Sequence, residues 1–229
     1  MTTDHLLAAL AMAAIAALGA WWSPRVVARL PDPVEIEVPY AELAVSPRLG
    51  LRLAVAAAVV AGSIGFALGP DPSLPAWCFL SVAGVVLSYV DWRVRLLPFR
   101  IVAPSYAIVG VLLIVAAVAT GDYDAARRSL IAWVATYAVF TGMWFVYRRG
   151  IGYGDVRLSG VLAMALGWLG WSELIVGMYA AFILGALIGG GLALAKVVDR
   201  KGYPFGPFMF AGAWVGVVCA PSITSWLGA

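Results

Sequence analysis

The sequence predicts an all-α membrane protein, a polytopic bundle of about eight transmembrane helices with both termini outside. Composition, the spacing of apolar runs and the placement of basic residues each point there. Of 229 residues, 63% are hydrophobic and only 12% are charged. The mean hydropathy of +0.96 exceeds what a water-soluble core requires. Apolar runs fall at about 6–22, 53–68, 76–90, 101–120, 130–147, 158–169, 174–198 and 207–226. A perpendicular span needs about 20 residues, so each run is a candidate helix through the bilayer.

Taken in order, the first run has Asp4 and His5 before it and Arg25 and Arg29 after it. This is the reverse of a cleavable signal peptide's basic start, so the segment is expected to stay attached with its N-terminus outside. The second follows a proline-rich polar piece, residues 23–50, a short cytoplasmic loop too small to bury a core of its own. The third run is marginally short and ends at Asp91, and the fourth begins after Arg100. The fifth follows the acidic and basic loop "GDYDAARR". The sixth, 158–169, is too short by itself and abuts "GYGD". Either the two short runs borrow residues from their loops, or the loops dip into the membrane, and both outcomes draw Asp91 and Asp155 toward the headgroup boundary. The seventh contains "GALIGGG", where Gly185 and Gly189 form a small-residue pair suited to close helix packing. The eighth opens at Pro207.

Basic residues are retained on the cytoplasmic side of a membrane. With the N-terminus outside, the cytoplasmic loops hold Arg25, Arg29, Arg48, Arg52, Arg93, Arg95, Arg100, Arg148, Arg149, Arg157, Lys196, Arg200 and Lys201, which is 13 of the 15 basic residues. Only Arg127 and Arg128 fall outside. A seven- or nine-helix reading would break this alternation partway along the chain. Singly scattered cations of this kind report orientation, and nucleic acid is not expected as a partner.

The residues able to carry chemistry are few. Cys78 and Cys219 lie far apart in apolar stretches and His5 is the sole histidine. Neither a zinc site nor a Ser/His triad is therefore expected. Among the acids, Asp32, Glu35, Glu37 and Glu42 sit in the polar loop, and Asp4, Asp71, Asp122, Asp124 and Glu173 face outside. Asp199, in "KVVDRKG", is expected to pair with Arg200 and Lys201. Asp91 and Asp155 remain. Either could simply cap a helix, an effect of about 1 kcal/mol. Gly152 and Gly154 beside Asp155 weigh against that, because glycine permits backbone angles or close approaches that side chains forbid. Two carboxyl groups held together can share one proton, the ionised partner activating a water against a peptide carbonyl while the protonated one stabilises its oxygen. That chemistry needs no cofactor and no metal.

"GYGDVRL", 152–158, resembles the GxGD-x-[KR]-L signature of the prepilin peptidases, membrane aspartic endopeptidases that remove leader peptides from type IV pilin and type II secretion pseudopilin precursors. "DWRVRLLP", 91–98, resembles the family's first aspartate motif, and "YPFGPFMFAGAWVG", 203–216, its PFGPF segment opening the last helix. The resemblance covers about residues 76–220. It implies Asp91 and Asp155 as the catalytic dyad, with Gly152, Gly154, Pro98, Pro204, Phe205, Gly206 and Pro207 shaping the substrate-binding loops. It also implies a multi-pass protein of the inner membrane, active at the cytoplasmic face as one peptidase domain over 1–229. Prepilin or pseudopilin precursors and the lipid bilayer would be its partners; oligomeric state is not implied. Fuller bacterial members carry paired Cys-x-x-Cys metal motifs between the first two helices and methylate the new N-terminus from S-adenosylmethionine. The corresponding loop here has no cysteine. The chain is like shorter relatives such as the archaeal preflagellin peptidases in that respect, and N-methyltransferase activity is left open. The competing readings are a non-catalytic membrane subunit of a pilus or secretion apparatus, with both aspartates as caps or ion-pair partners, and a transporter. Acids within spans often mark ion paths, but these lie at a boundary, and the internal repeat of many transporters is missing.

Overall fold

The computed structural model describes residues 3–33, 38–148, 150–195 and 203–227. Glu35, Glu37, Arg149, Lys196 and Asp199 with Arg200 and Lys201 lie outside the described residues. Among the described residues, the helices are α1 Thr3–Val27, α2 Tyr40–Ala44, α3 Leu49–Leu68, α4 Leu74–Val94, α5 Phe99–Thr120, α6 Tyr123–Val146, α7 Tyr153–Leu169, α8 Trp171–Leu184, α9 Gly190–Leu194 and α10 Gly206–Leu227, with a π-helical stretch Gly185–Gly189 joining α8 to α9. The chain is a polytopic helical membrane protein. Among the described residues, six helical segments are long and apolar enough to cross a bilayer: α1, α3, α4, α5, α6 and the continuous segment Trp171–Gly189. With α7 and α10 they make an eight-membered bundle.

The two short runs borrow from their loops. Helix α4 continues past Val90 to Val94, and α7 starts at Tyr153, inside the GYGD segment. Twelve of the 17 residues of α7 are buried, Val156 and Leu158 through Trp168. A helix apolar all round with few exposed positions is the centre of a bundle, and α7 packs against α5, α6, α8 and α10. Helix α10 in turn touches α3, α4, α7 and α8, and so links both halves of the molecule.

Small residues let these helices meet closely, since dispersion between well-packed surfaces takes the place of a hydrophobic drive in lipid. A Cβ on Gly212 would lie 2.5 Å from the Gly177 carbonyl oxygen, and one on Gly216 would lie 2.5 Å from that of Glu173, so α8 and α10 run nearly backbone to backbone. Gly185 and Gly189 instead receive the rings of Phe205 and Tyr203. The expected packing role holds, but the partner is the segment leading into α10.

The end of the bundle away from the aspartates is tied by polar contacts. His5 Nδ1 lies 2.9 Å from the Phe66 carbonyl oxygen, joining the start of α1 to the end of α3. Arg128 donates through Nε to the Gly167 carbonyl at 2.8 Å and through Nη2 to that of Trp168 at 2.6 Å. These are the unpaired carbonyls at the C-terminus of α7, where a cation is favoured. An arginine that broke the charge alternation therefore has a structural occupation. At the opposite end, the 23–50 segment is not featureless. Helix α2 buries Tyr40 and Leu43, and Tyr89 of α4 donates to the Leu43 carbonyl at 3.1 Å.

Candidate active site

Asp91 stands in the last turn of α4, four residues before Arg95, whose N–H bonds to the Asp91 carbonyl at 2.8 Å. A carboxylate there opposes the helix dipole, so Asp91 does nothing for its own helix. The side chain is 4% exposed and accepts the Gly206 N–H at 3.0 Å, across 115 residues of sequence. Gly206 is the first residue of α10, and its N–H is one of the four donors that a helix start leaves without an internal partner. Asp91 thus meets the positive end of a distant helix.

Arg95 closes α4 in the left-handed region at φ 55°, a conformation that costs a non-glycine residue about 1 kcal/mol or more. This ends the helix and redirects the chain, and Leu97 comes to lie beside Gly154 and Gly206. Pro98 is buried and begins α5, its carbonyl accepting from Ile101 and Val102. Leu97, within the DWRVRLLP segment, carries no sequence signal of a role at the site. A Cβ on Gly154 would lie 3.0 Å from Leu97 Cβ, and one on Gly206 would lie 3.2 Å from Leu97 Cδ2. One leucine therefore bridges the start of α7 and the start of α10.

Asp155 is the third residue of α7 and is half-buried. Its Oδ2 accepts the Gly152 N–H at 3.2 Å, the reach-back of a capping arrangement. Gly152 has φ −71° and ψ 142°, which any residue can adopt, and Gly154 is within the helix. Glycine is needed at 154 for proximity to Leu97 and not for an unusual backbone angle. The carboxyl groups of Asp91 and Asp155 are within electrostatic reach of each other.

The third motif follows the same logic. Pro204 is buried and Phe205 is half-buried, its ring 5.4 Å from that of Phe182. Pro207 occupies the first turn of α10, where a missing N–H costs nothing. The structure thus brings Asp91, Gly154, Asp155, Pro98, Gly206 and Pro207 to one end of the bundle, with Pro204 and Phe205 leading into α10 and Gly152 at the exposed rim. A mainly apolar cavity of about 420 Å³ adjoins it, running between α3, α4 and α10 from Ser88 and Pro207 toward Ile64 and Trp77. Among the described residues, no three His, Cys, Asp or Glu side chains gather as a metal would need.

Comparison with known proteins adds the family. Residues 78–193 match the model of the type IV leader peptidase family, a span that includes both aspartates. The chain belongs to that family of membrane peptidases. It is 28% identical over 175 residues to the "Prepilin leader peptidase/N-methyltransferase" of Aeromonas hydrophila, covering 74% of this chain and 58% of that protein. The protein of the same name from Aeromonas salmonicida (strain A449) is 30% identical over 148 residues, 62% of this chain and 48% of its own length. That of Escherichia coli (strain K12) is 29% identical over 171 residues, 69% and 70% respectively. The chain spans about half the length of the two Aeromonas relatives. No solved structure matches it.

Proposed function

We propose that this protein is a membrane-embedded aspartic endopeptidase that cleaves the leader peptide of type IV prepilins or pseudopilins at the cytoplasmic face of the inner membrane. Asp91 and Asp155 share one proton and activate a water. The ionised member takes the water's proton as the oxygen attacks the scissile carbonyl, and the protonated member donates a hydrogen bond to the developing oxyanion. The observation that carries the reading is the juxtaposition of two acids from α4 and α7, neither of which forms an ion pair among the described residues. In a non-catalytic subunit, by contrast, paired or separated acids would serve. Residues 1–229 act as one unit with 23–50 as its short cytoplasmic loop, and the cavity beside Pro207 receives the apolar segment of the substrate. The family membership supports a prepilin substrate. Co-expression with candidate prepilins, followed by mass spectrometry of the new N-termini, tests it: cleavage of a leader is expected, and intact precursors throughout would overturn the assignment.

The orientation can be tested separately. Cysteines at Arg95 and Arg52, in a background lacking Cys78 and Cys219, are expected to label only from the cytoplasmic side, and one at Asp122 only from outside. Labelling of Arg95 and Asp122 from the same side would reject the eight-span alternation.

Gly154→Ala is expected to lower the turnover rate at least about tenfold at unchanged abundance. The added methyl would lie 3.0 Å from Leu97 Cβ, so Leu97 or helix α7, with the carboxyl it carries, must give by a few tenths of an ångström. Misplacement by about 1 Å can cost a hundredfold in rate, and a few tenths of an ångström correspondingly less. Adding Leu97→Ala removes the opposing atoms and should recover part of the loss. A Gly154→Ala enzyme within twofold of wild type in a quantified detergent assay would make this glycine a simple hinge.

A further inference from the structure

A second cavity, of about 450 Å³ and open on one side, lies between α5 and α6, with Arg157 of α7 at its edge. Its lining includes Val102, Tyr106, Trp133, Val134, Tyr137 and Arg157. Val134 and neighbouring Phe99 are each 57% exposed, so this wall faces the lipid in a membrane-spanning bundle. Its body is apolar and aromatic, and its mouth is cationic.

The Arg157 guanidinium sits 4.6 Å from the centroid of Phe99 and 4.4 Å from that of Tyr153. The Tyr106 hydroxyl donates to the Arg157 carbonyl, which fixes the backbone beneath it. The hydroxyls of Tyr137 and Tyr153 lie 3.4 Å apart at the same rim. Tyr153 packs on Trp144 at 5.1 Å, and Trp144 carries Arg148 at 4.7 Å on its ring. Two guanidiniums are thus held on one chain of rings, and neither forms an ion pair among the described residues. An arginine over aromatic rings still has N–H groups for an anionic oxygen, because its guanidinium carries five donors and the Tyr153 hydroxyl takes only part of that capacity.

We propose that this cavity binds an anionic phospholipid, with the phosphate on Arg157, the cation of its lining, and an acyl chain between α5 and α6. Free phosphate would satisfy the cation but leave the apolar cavity unused, whereas an amphiphile satisfies both. Basic pockets between transmembrane helices are a recognised setting for acidic headgroups. The assignment is independent of the peptidase reading, since it uses neither aspartate.

The test uses the purified full chain in neutral detergent, titrated with phosphatidylglycerol or phosphatidylcholine of identical acyl chains and read by native mass spectrometry. Wild type is expected to hold phosphatidylglycerol at least about tenfold more tightly. Arg157→Gln should bring the two lipids within about twofold, Arg157→Lys should keep most of the preference, and Arg52→Gln, an exposed arginine on α3, should change nothing. An unchanged unfolding temperature shows that a loss is not misfolding. Equal binding of both lipids by wild type would overturn the proposal. So would displacement of phosphatidylglycerol by millimolar glycerol 3-phosphate, which would mean a phosphate site without a lipid chain. If Arg157→Gln leaves lipid binding intact but raises the KM for a prepilin, the cation serves the peptide substrate and the lipid assignment fails.

Discussion

Asp91→Asn and Asp155→Asn are each expected to reduce leader cleavage by at least about a hundredfold while leaving the protein inserted and abundant. The size follows from the role, since a positioned acid or base contributes on the order of 10² to 10⁴ in rate. The choice of asparagine makes the test specific. Both carboxyl groups accept a backbone N–H, Asp91 from Gly206 at 3.0 Å and Asp155 from Gly152 at 3.2 Å. An amide keeps a carbonyl oxygen that can accept the same bonds, so a purely structural cap survives the substitution. It cannot exchange the proton that the proposed dyad shares. Near-normal processing by either variant, in membranes free of other peptidases, would return both residues to a capping role and remove the mechanism.

The second large effect is expected at Gly206. A Cβ there would lie 2.7 Å from Asp91 Oδ2 and 3.2 Å from Leu97 Cδ2. Alanine keeps the N–H but forces the Asp91 carboxyl, itself buried, to move, and Leu97 has little room because its other side faces Gly154. Gly206→Ala is therefore predicted to lower kcat by about tenfold to a hundredfold with KM changed less, because in the proposed mechanism the displaced group acts in the transition state. Helix α10 retains its first-turn donor, so stability should change by no more than about 1–2 kcal/mol, the scale of one strained contact. Equal losses in kcat and in thermal stability across several Gly206 variants would mark the glycine as a packing residue alone.

Much of the fold can be read along the chain. Six of the eight apolar runs begin and end within five residues of a helix, 158–169 among them once α7 takes up Tyr153–Arg157, whereas α6 starts seven residues before the run 130–147 and the run 174–198 is divided among α8, the π-helical stretch and α9. The candidate site was legible as two aspartates in short motifs, because an acid beside an apolar run in a chain with 12% charged residues stands out. Leu97 was hidden: a leucine before a proline is ordinary in sequence, and only the left-handed turn at Arg95 brings it between α7 and α10. The bond from Gly206 to Asp91 was hidden for the same reason, since 115 intervening residues leave no local signal.

The sequence by itself determined that this is a multi-span helical membrane protein, and it marked the acids worth testing. The physical reason is the bilayer: lipid cannot satisfy backbone N–H and C=O groups, so run length and apolar content translate directly into helices. Tertiary structure alone decided which faces those helices present to one another. An apolar run reads the same whether it meets lipid or protein, because lipid tails are as apolar as leucine. Nothing in the run 158–169 announces that α7 is buried nearly all round, while 66% of the Leu18 surface on α1 stays exposed. That choice was made by close glycine contacts such as Gly212 on Gly177 and by single polar bonds such as Arg128 on the α7 carbonyls. Their partners lie 35 and 39 residues apart in sequence, where no pattern along the chain can record them.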